Sequence, residues 1–273
     1  MVTLNGSPLD STPDGEHATE ALLRLALTNY GHFTTMRVEP DKTVRGLALH
    51  LERLQRDCRA VFEVDLDTDR VRGFIRSYLT SVNGPVSLRI TVFDASIGLG
   101  NIAADAHPDI LVTSSPSGPM AATPLTTVTV PFTRDAAAIK HVGLWSQMRL
   151  RRGAQRQGAG DVIFVEPDGT VSEGATWNLG FITAGGDVVW PSGPVLPGVT
   201  MQLIQQAQET SGVAQKTSPV HLDDLGTMSA AFATNVSVGV RGIASINDVS
   251  FDVEHPALDL MRKAYGEVPS ELV

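Results

Sequence analysis

Lys140 is one of only four lysines in a chain of 273 residues. It stands in Ala136-Ala137-Ala138-Ile139-Lys140-His141-Val142-Gly143-Leu144, a stretch with no second charge. Apolar surroundings strip water from an ammonium and lower its pKa toward neutrality, which makes an amine able to condense with a carbonyl. The plain alternative is a lysine whose stem covers apolar surface while its charge reaches water. Two downstream features fit a cofactor carrying a carbonyl, a ring nitrogen and a phosphate. Glu173, in Thr170-Val171-Ser172-Glu173-Gly174-Ala175-Thr176-Trp177-Asn178, could keep a ring nitrogen protonated. The small neighbours Gly174 and Ala175 would let a planar ring approach the strand, and a cationic partner would offset burial of the carboxylate. Gly198-Val199-Thr200 stands at the start of an expected helix, where free N–H groups and the dipole attract phosphate and the Thr200 hydroxyl adds a donor. Read locally, Glu173 is an exposed strand residue and Thr200 a helix N-cap. Arg53, in His50-Leu51-Glu52-Arg53-Leu54, lies off the apolar stripe of its helix and reads locally as a solvated side chain. The cofactor that joins all three requirements is pyridoxal phosphate.

These residues belong to a chain with an ordinary globular composition, 42% apolar and 19% charged. It can bury a sizeable core as one large domain or two modest ones. The net charge of −9 argues against nucleic acid or an anionic membrane as the main partner, because phosphate tracking needs a basic field. Arg149, Arg151, Arg152 and Arg156 read as the polar face of a helix. Cys58 is the single cysteine, so no intrachain disulfide and no cysteine-rich metal site can form. The seven histidines show no HxxH or HExxH spacing, and no catalytic metal is expected. The N-terminal Met1-Val2-Thr3-Leu4-Asn5-Gly6 has no signal-peptide character and no apolar run approaches the roughly 18 residues of a membrane span, so a cytoplasmic protein is expected.

Periodicity places the candidates on elements. Residues 31–38 are expected as a strand, 47–61 as a helix with apolar positions 47, 51, 54, 58 and 61, and 68–79 as a second helix. Residues 86–93 and 109–114 read as strands. The Ser114-Ser115-Pro116-Ser117-Gly118-Pro119 run suggests a boundary, giving a smaller N-terminal domain over 1–115, a linker over 116–124 and a larger C-terminal domain over 125–273. The second half is expected to hold strands at 126–131 and around Lys140, a helix over 144–157, and a meander of strands at 161–165, 170–182 and 188–190. A helix over 201–210, capped by Thr200 and ended by Gly212, should follow, then strands at 230–236 and 240–246. Strands grouped apart from helices indicate an α+β fold.

In order and spacing the pieces resemble the class IV aminotransferases, the fold-type IV pyridoxal-phosphate enzymes that include branched-chain and D-amino-acid aminotransferases, R-selective amine transaminases and 4-amino-4-deoxychorismate lyase. The matching stretches run from Leu4-Asn5-Gly6 to about Phe251. They are Tyr30-Gly31-His32-Phe33-Thr34-Thr35-Met36-Arg37-Val38, the helix around Arg53, Ile139-Lys140, Val171-Ser172-Glu173-Gly174 with Asn178, and Leu196-Pro197-Gly198-Val199-Thr200. The resemblance implies that Lys140 is the Schiff-base lysine, that Glu173 pairs with the pyridine nitrogen, and that Arg53, the Val199 backbone and Thr200 hold the phosphate. By the same resemblance Asn235 and Ser237, in Thr234-Asn235-Val236-Ser237, face the phosphate. Two departures stand out: Met201 replaces the arginine of the usual Gly-Ile-Thr-Arg, and Trp145 stands where branched-chain aminotransferases carry a tyrosine, which puts a branched-chain substrate in doubt.

The resemblance implies a two-domain enzyme whose active site lies in the cleft between a smaller N-terminal domain and a larger, barrel-like C-terminal one, in at least a homodimer. Substrate choice would fall to residues near His32, Thr34, Arg89 and Trp145. Arg89 could bind a substrate carboxylate, although its alternating strand also suits a solvent-facing charge. Transfer of an amino group between an amino acid or amine and a 2-keto acid is the expected activity. Phe33-Thr34-Thr35 and Lys140-His141 look more like the lyase branch, which eliminates pyruvate to give 4-aminobenzoate, whereas Glu173-Gly174-Ala175 with Asn178 is common among transaminases. A reading of another class is a relative that binds the cofactor without catalysis.

Overall fold

The computed structural model describes residues 2–9, 15–120 and 123–273, with residues 15–17 described by backbone alone. It divides into two compact units that are not continuous in sequence. Residues 1–118, 139–143 and 269–273 form the first, and 119–138 with 144–268 form the second. Lys140 therefore belongs to the first unit, although a contiguous split of the sequence assigns it to the C-terminal segment.

The first unit contains β1 (Val2–Leu4), β2 (Ser7–Pro8), α1 (Gly15–Thr28), β3 (His32–Val38), β4 (Thr43–Arg45), α2 (Leu47–Phe62), α3 (Thr68–Leu79), β5 (Val86–Phe93) and β6 (Asp109–Pro116). Five of the strands form one sheet in the order β2-β1-β6-β5-β3, antiparallel throughout. The helices α2 and α3 follow the apolar periodicity: Leu47, Leu51, Leu54 and Cys58 of α2 and Val71, Ile75 and Tyr78 of α3 are buried with Met36, Leu88 and Ile90 of the sheet. Asp67 caps α3 by accepting the Arg70 N–H. Gly31 opens β3 at a φ of 154°, where an added Cβ would lie 2.6 Å from the Val92 carbonyl oxygen, so only glycine fits. The helix α1 and the β1–β2 hairpin are absent from the sequence reading.

The second unit contains β7 (Leu125–Pro131), α4 (Trp145–Arg156), β8 (Asp161–Val165), β9 (Val171–Gly174), β10 (Asn178–Thr183), β11 (Val188–Pro191), α5 (Val199–Thr210), β12 (Gln215–Ser218), β13 (Met228–Asn235), β14 (Gly239–Ile246), β15 (Val249–Ser250) and α6 (Pro256–Glu267). Strands β10, β13, β14, β7, β8 and β9 pair in that order, and β9 returns to β10, closing the sheet on itself. Its interior is filled by Ile163, Leu179, Phe181, Ala231 and Ile243. Helix α4 connects the parallel strands β7 and β8. The chain ends in the first unit, where β16 (Ser270–Leu272) pairs with β4 and Arg76 donates to the Val273 carbonyl at 2.8 Å. No described helix is long and apolar enough to cross a membrane.

Three local expectations need correction. The strand expected around Lys140 is a turn that makes one bridge, His32 with His141. The single strand expected over 170–182 is two strands separated by a tight turn. Trp177 drives that break: its indole N–H donates to Asp161 at 3.0 Å and its carbonyl accepts the Gly174 N–H at 2.9 Å. Finally, α5 begins two residues before its expected start. Gly198 occupies the N-cap and Thr200 lies within the first turn, so Thr200 is not the cap.

Candidate functional site

In the first unit, α2 carries His50, Arg53 and Asp57 on one buried face beside its apolar stripe. Arg53, expected locally as a solvated arginine, is only 5% exposed. Its Nη2 donates to the Thr34 hydroxyl and lies 3.2 Å from His50 Nδ1. Thr34 Oγ1 in turn is 2.8 Å from the same nitrogen. A guanidinium can only donate, so Nδ1 is the acceptor and the His50 proton sits on Nε2. Burial, followed by the positive charges of Arg53 and Lys140, holds the His50 imidazole well below its ordinary pKa, which keeps it neutral. Burial lowers the Arg53 pKa to about 10, partly countered by Asp57, so Arg53 stays charged. Arg53 Nε and His50 Nε2 are buried donors with no protein partner.

Lys140 enters this group by way of Phe33. Its Nζ lies 4.8 Å from the Phe33 ring centroid, and the Arg89 guanidinium lies 3.6 Å from the same centroid. Arg89 Nε donates to the Thr91 hydroxyl at 3.1 Å, and burial lowers its pKa. The residue takes part in none of the described ion pairs. His32 and Thr34, expected beside the substrate, are both fully buried at 0% exposure. Thr34 bonds inside the arginine group, and the His32 ring packs against Phe62 at 6.1 Å.

In the second unit, Glu173 on β9 is 3% exposed rather than solvated. Arg134 Nη1 donates to its Oε1 at 2.7 Å, and the Leu196 N–H donates to Oε2 at 3.0 Å. Asn178 Nδ2 donates to the Leu196 carbonyl at 2.7 Å and lies 3.5 Å from Oε2. Gly198 completes this packing, because a Cβ there would fall 2.0 Å from Asn178 Oδ1. Gly174 serves a different purpose from the one expected: a Cβ there would fall 2.0 Å from the Trp177 ring, so its small size admits the indole and not a ligand.

Val199 and Thr200 lie buried in the first turn of α5, whose leading N–H groups have no partner within the helix. The Asn235 amide is used locally, accepting the Ser237 N–H at 2.9 Å and the Val238 N–H at 3.1 Å while donating to the Thr176 carbonyl at 3.2 Å. Ser237 is exposed at the tip of that hairpin. Beside them the Thr234 hydroxyl, fully buried, has no partner. Trp145, the first residue of α4, is 71% exposed, with the Arg149 guanidinium 5.3 Å from its ring. Sequence reasoning missed Arg134, Asp57 and Thr234. The wanted cation for Glu173 was legible, but Arg134 precedes it by 39 residues and no local pattern marks the pairing.

Comparison with known proteins bears on the same arrangement. A "Probable branched-chain-amino-acid aminotransferase" from Rickettsia felis is 24% identical over 125 residues, 44% of this chain and 43% of that relative, so the match spans less than half of each. The PLP-bound form of a hypothetical aminotransferase from Mycobacterium tuberculosis superposes with a TM-score of 0.78 at 20% identity, covering 89% of this chain and 90% of that one. A protein described as a candidate 4-amino-4-deoxychorismate lyase from Legionella pneumophila gives a TM-score of 0.78 at 21% identity, covering 90% and 93%. These likenesses show the fold. The family model for amino-transferase class IV matches residues 31–246, which takes in α2 with Arg53, Lys140, Glu173 and the start of α5, and the chain belongs to that family.

Proposed function

We propose that this chain is a pyridoxal-phosphate-dependent aminotransferase that moves an amino group between an amino acid or amine and a 2-keto acid, with Lys140 as the amine that carries the cofactor. The observation that supports it most is the setting of Lys140. Its unit also holds a buried, charged Arg53 beside a neutral His50, with two orphaned donors and no ion-pair partner for the arginine among the described residues. A lysine beside an anion-seeking group suits a phosphate-bearing aldehyde. Pyridoxal phosphate, when bound, supplies a carbonyl that condenses with amines and a protonated ring that withdraws electrons from the substrate carbon.

The residues fit those needs. Arg53 would hold the phosphate, with the Val199 N–H, the first turn of α5 and the Thr200 hydroxyl as further donors. The orphaned Thr234 hydroxyl suits the same duty better than Asn235 or Ser237, whose polar groups close their own turn. Glu173, paired with Arg134, would hold the proton on the ring nitrogen. The Lys140 amine, once displaced by the substrate amine, would move a proton from the substrate carbon. Arg89 is a half-buried cation without a described carboxylate partner, and it is suited to a substrate carboxylate. A second copy of the chain would complete the assembly, with the exposed Leu27, Leu99 and Ile102 as apolar surface available for it.

The test is the visible spectrum of the purified protein with pyridoxal phosphate, wild type and Lys140→Ala, before and after addition of L- and D-amino acids and then a keto acid. The expected result is a visible band absent from the variant, bleached by a donor and restored by a keto acid. Borohydride reduction should fix the cofactor on Lys140, located by peptide mass. A wild type without the band overturns the reading. A band with no turnover on any donor leaves a cofactor binder without catalysis. The lyase is the second reading, favoured by Lys140-His141, by Phe33-Thr34-Thr35 and by the likeness to the Legionella pneumophila protein. Formation of 4-aminobenzoate from aminodeoxychorismate without any keto acid would select it.

A further inference from the structure

We propose that Asp57 is a positioning residue for Lys140, clamping the lysine's backbone to the helix that carries Arg53. The carboxylate is 1% exposed, and a charge so buried requires partners. Arg56 supplies one side, donating through Nε at 3.0 Å and Nη2 at 2.7 Å to Oδ1. The Lys140 backbone N–H supplies the other, donating to Oδ2 at 3.0 Å across 83 residues of sequence.

The turn around Lys140 also bonds to the start of β3. Its carbonyl accepts the Phe33 N–H at 2.8 Å, and the Val142 N–H donates to Gly31 at 3.0 Å. In a continued antiparallel ladder the Lys140 N–H would return to the Phe33 carbonyl. Here the ladder stops and Asp57 takes that N–H. A charge-assisted bond thus replaces a backbone one at the residue whose position matters most, and it ties the Lys140 backbone to α2.

The clamp comes from α2 itself. Asp57 lies one turn beyond Arg53 and two beyond His50, so a single rigid helix sets both the anion donors and the root of the lysine. The charged and titratable groups around the carboxylate are Arg56, Arg53 and His32. Its negative charge favours the charged form of Arg53, against burial. Nothing in the local sequence marks this aspartate, which reads there as one more polar residue of an amphipathic helix.

The consequence for the reaction rests on Lys140 being the cofactor lysine, whereas the clamp itself does not, and the two are measured separately. Amide hydrogen exchange of the cofactor-free protein over residues 139–143 should be about tenfold faster or more in Asp57→Ala than in wild type, the loss expected for a hydrogen bond to a charged group. Asp57→Asn, which keeps an acceptor oxygen and the shape, should lie between and guards against a variant that fails to fold. With amino donor, kcat should fall by up to the order of 100-fold while KM stays close to wild type, as for a displaced reacting group. Unchanged exchange in folded Asp57→Ala overturns the proposal. Faster exchange with unchanged kcat also overturns it, because the bond would then serve stability alone. Absence of a cofactor band in the wild type sinks the reading of Lys140 but leaves the exchange result to decide the clamp.

Discussion

The polar group around Arg53 and the polar group around Glu173 are buried to the same degree, yet they are compensated in opposite ways. Glu173 has its countercharge in Arg134 and two further contacts from Leu196 and Asn178, so the second unit has met the carboxylate's needs. Arg53 is bonded to a hydroxyl, faces a neutral imidazole and feels the charge of Asp57 without an ion pair to it, with its own Nε and the His50 Nε2 left over. The difference separates a carboxylate whose charge is already paired from a cation whose pairing is incomplete. A protein retains an undercompensated buried cation at a cost to stability when a ligand returns the difference.

The sharpest way to break that contrast is to remove each arginine in turn. Arg134→Ala leaves a buried carboxylate unpaired and should destabilise the cofactor-free protein by about 3–5 kcal/mol in chemical denaturation. Arg53→Leu removes a buried charge that lacks a full partner, so stability without cofactor should stay level or rise. Its affinity for pyridoxal phosphate, measured by fluorescence titration, should fall by about 2–5 kcal/mol. Equal destabilisation by the two variants would erase the distinction.

Acid should act on the two groups unequally. The first unit buries two neutral imidazoles, and the His32 pKa is lowered from 6.5 to about 4, chiefly by burial and against the pull of Asp57. Below pH 6.5 the unfolded chain takes up the His32 proton before the folded one does. The stability present above that pH is therefore lost progressively as pH falls toward about 4, by about 3 kcal/mol in full. Denaturation midpoints followed from neutral pH downward should show this slope, and His32→Leu should reduce it, leaving the share of the buried His50. A slope undiminished in the variant would assign the acid sensitivity to groups other than His32.

Much of the architecture was legible in the sequence because periodicity reports burial directly. The alternation of residues 86–93 returned as β5 and the stripe at 47, 51, 54 and 58 as α2. The failures have a common physical cause, which is that partners distant in sequence decide the local form. Trp177 breaks the expected strand by reaching Asp161 and filling the space over Gly174. Arg53 reads as solvated because its burial depends on Thr34 from another element. Lys140 stood out by its apolar neighbours, while the aspartate that holds it did not. The types of the chemical residues were legible, but their partners became visible only in three dimensions.

Steric complementarity within the Glu173 group gives a smaller effect. Gly198 has an ordinary helical-entry conformation, so glycine is needed there for space alone: an added Cβ would lie 2.0 Å from Asn178 Oδ1. Gly198→Ala should cost about 1–3 kcal/mol, the range of overpacking in a filled interior. The loss should be largely relieved by Asn178→Ala in a double-mutant cycle. Additive losses would mean that the two residues are not in the contact described.

Trp145 tests the boundary of the comparison, because it belongs to neither buried group. At 71% exposure its removal forfeits little packing, and its contact with Arg149 at 5.3 Å is a surface cation–π pair. Trp145→Ala should therefore change stability by no more than about 0.5–1 kcal/mol. If it faces the substrate, the change should appear instead as a shift in preference between small and bulky amino donors, read as kcat/KM for each. A large loss of stability with no change of preference would show that the indole supports the fold of α4. Substrate choice would then have to come from Arg89, the half-buried cation stacked on the same phenyl ring as Lys140.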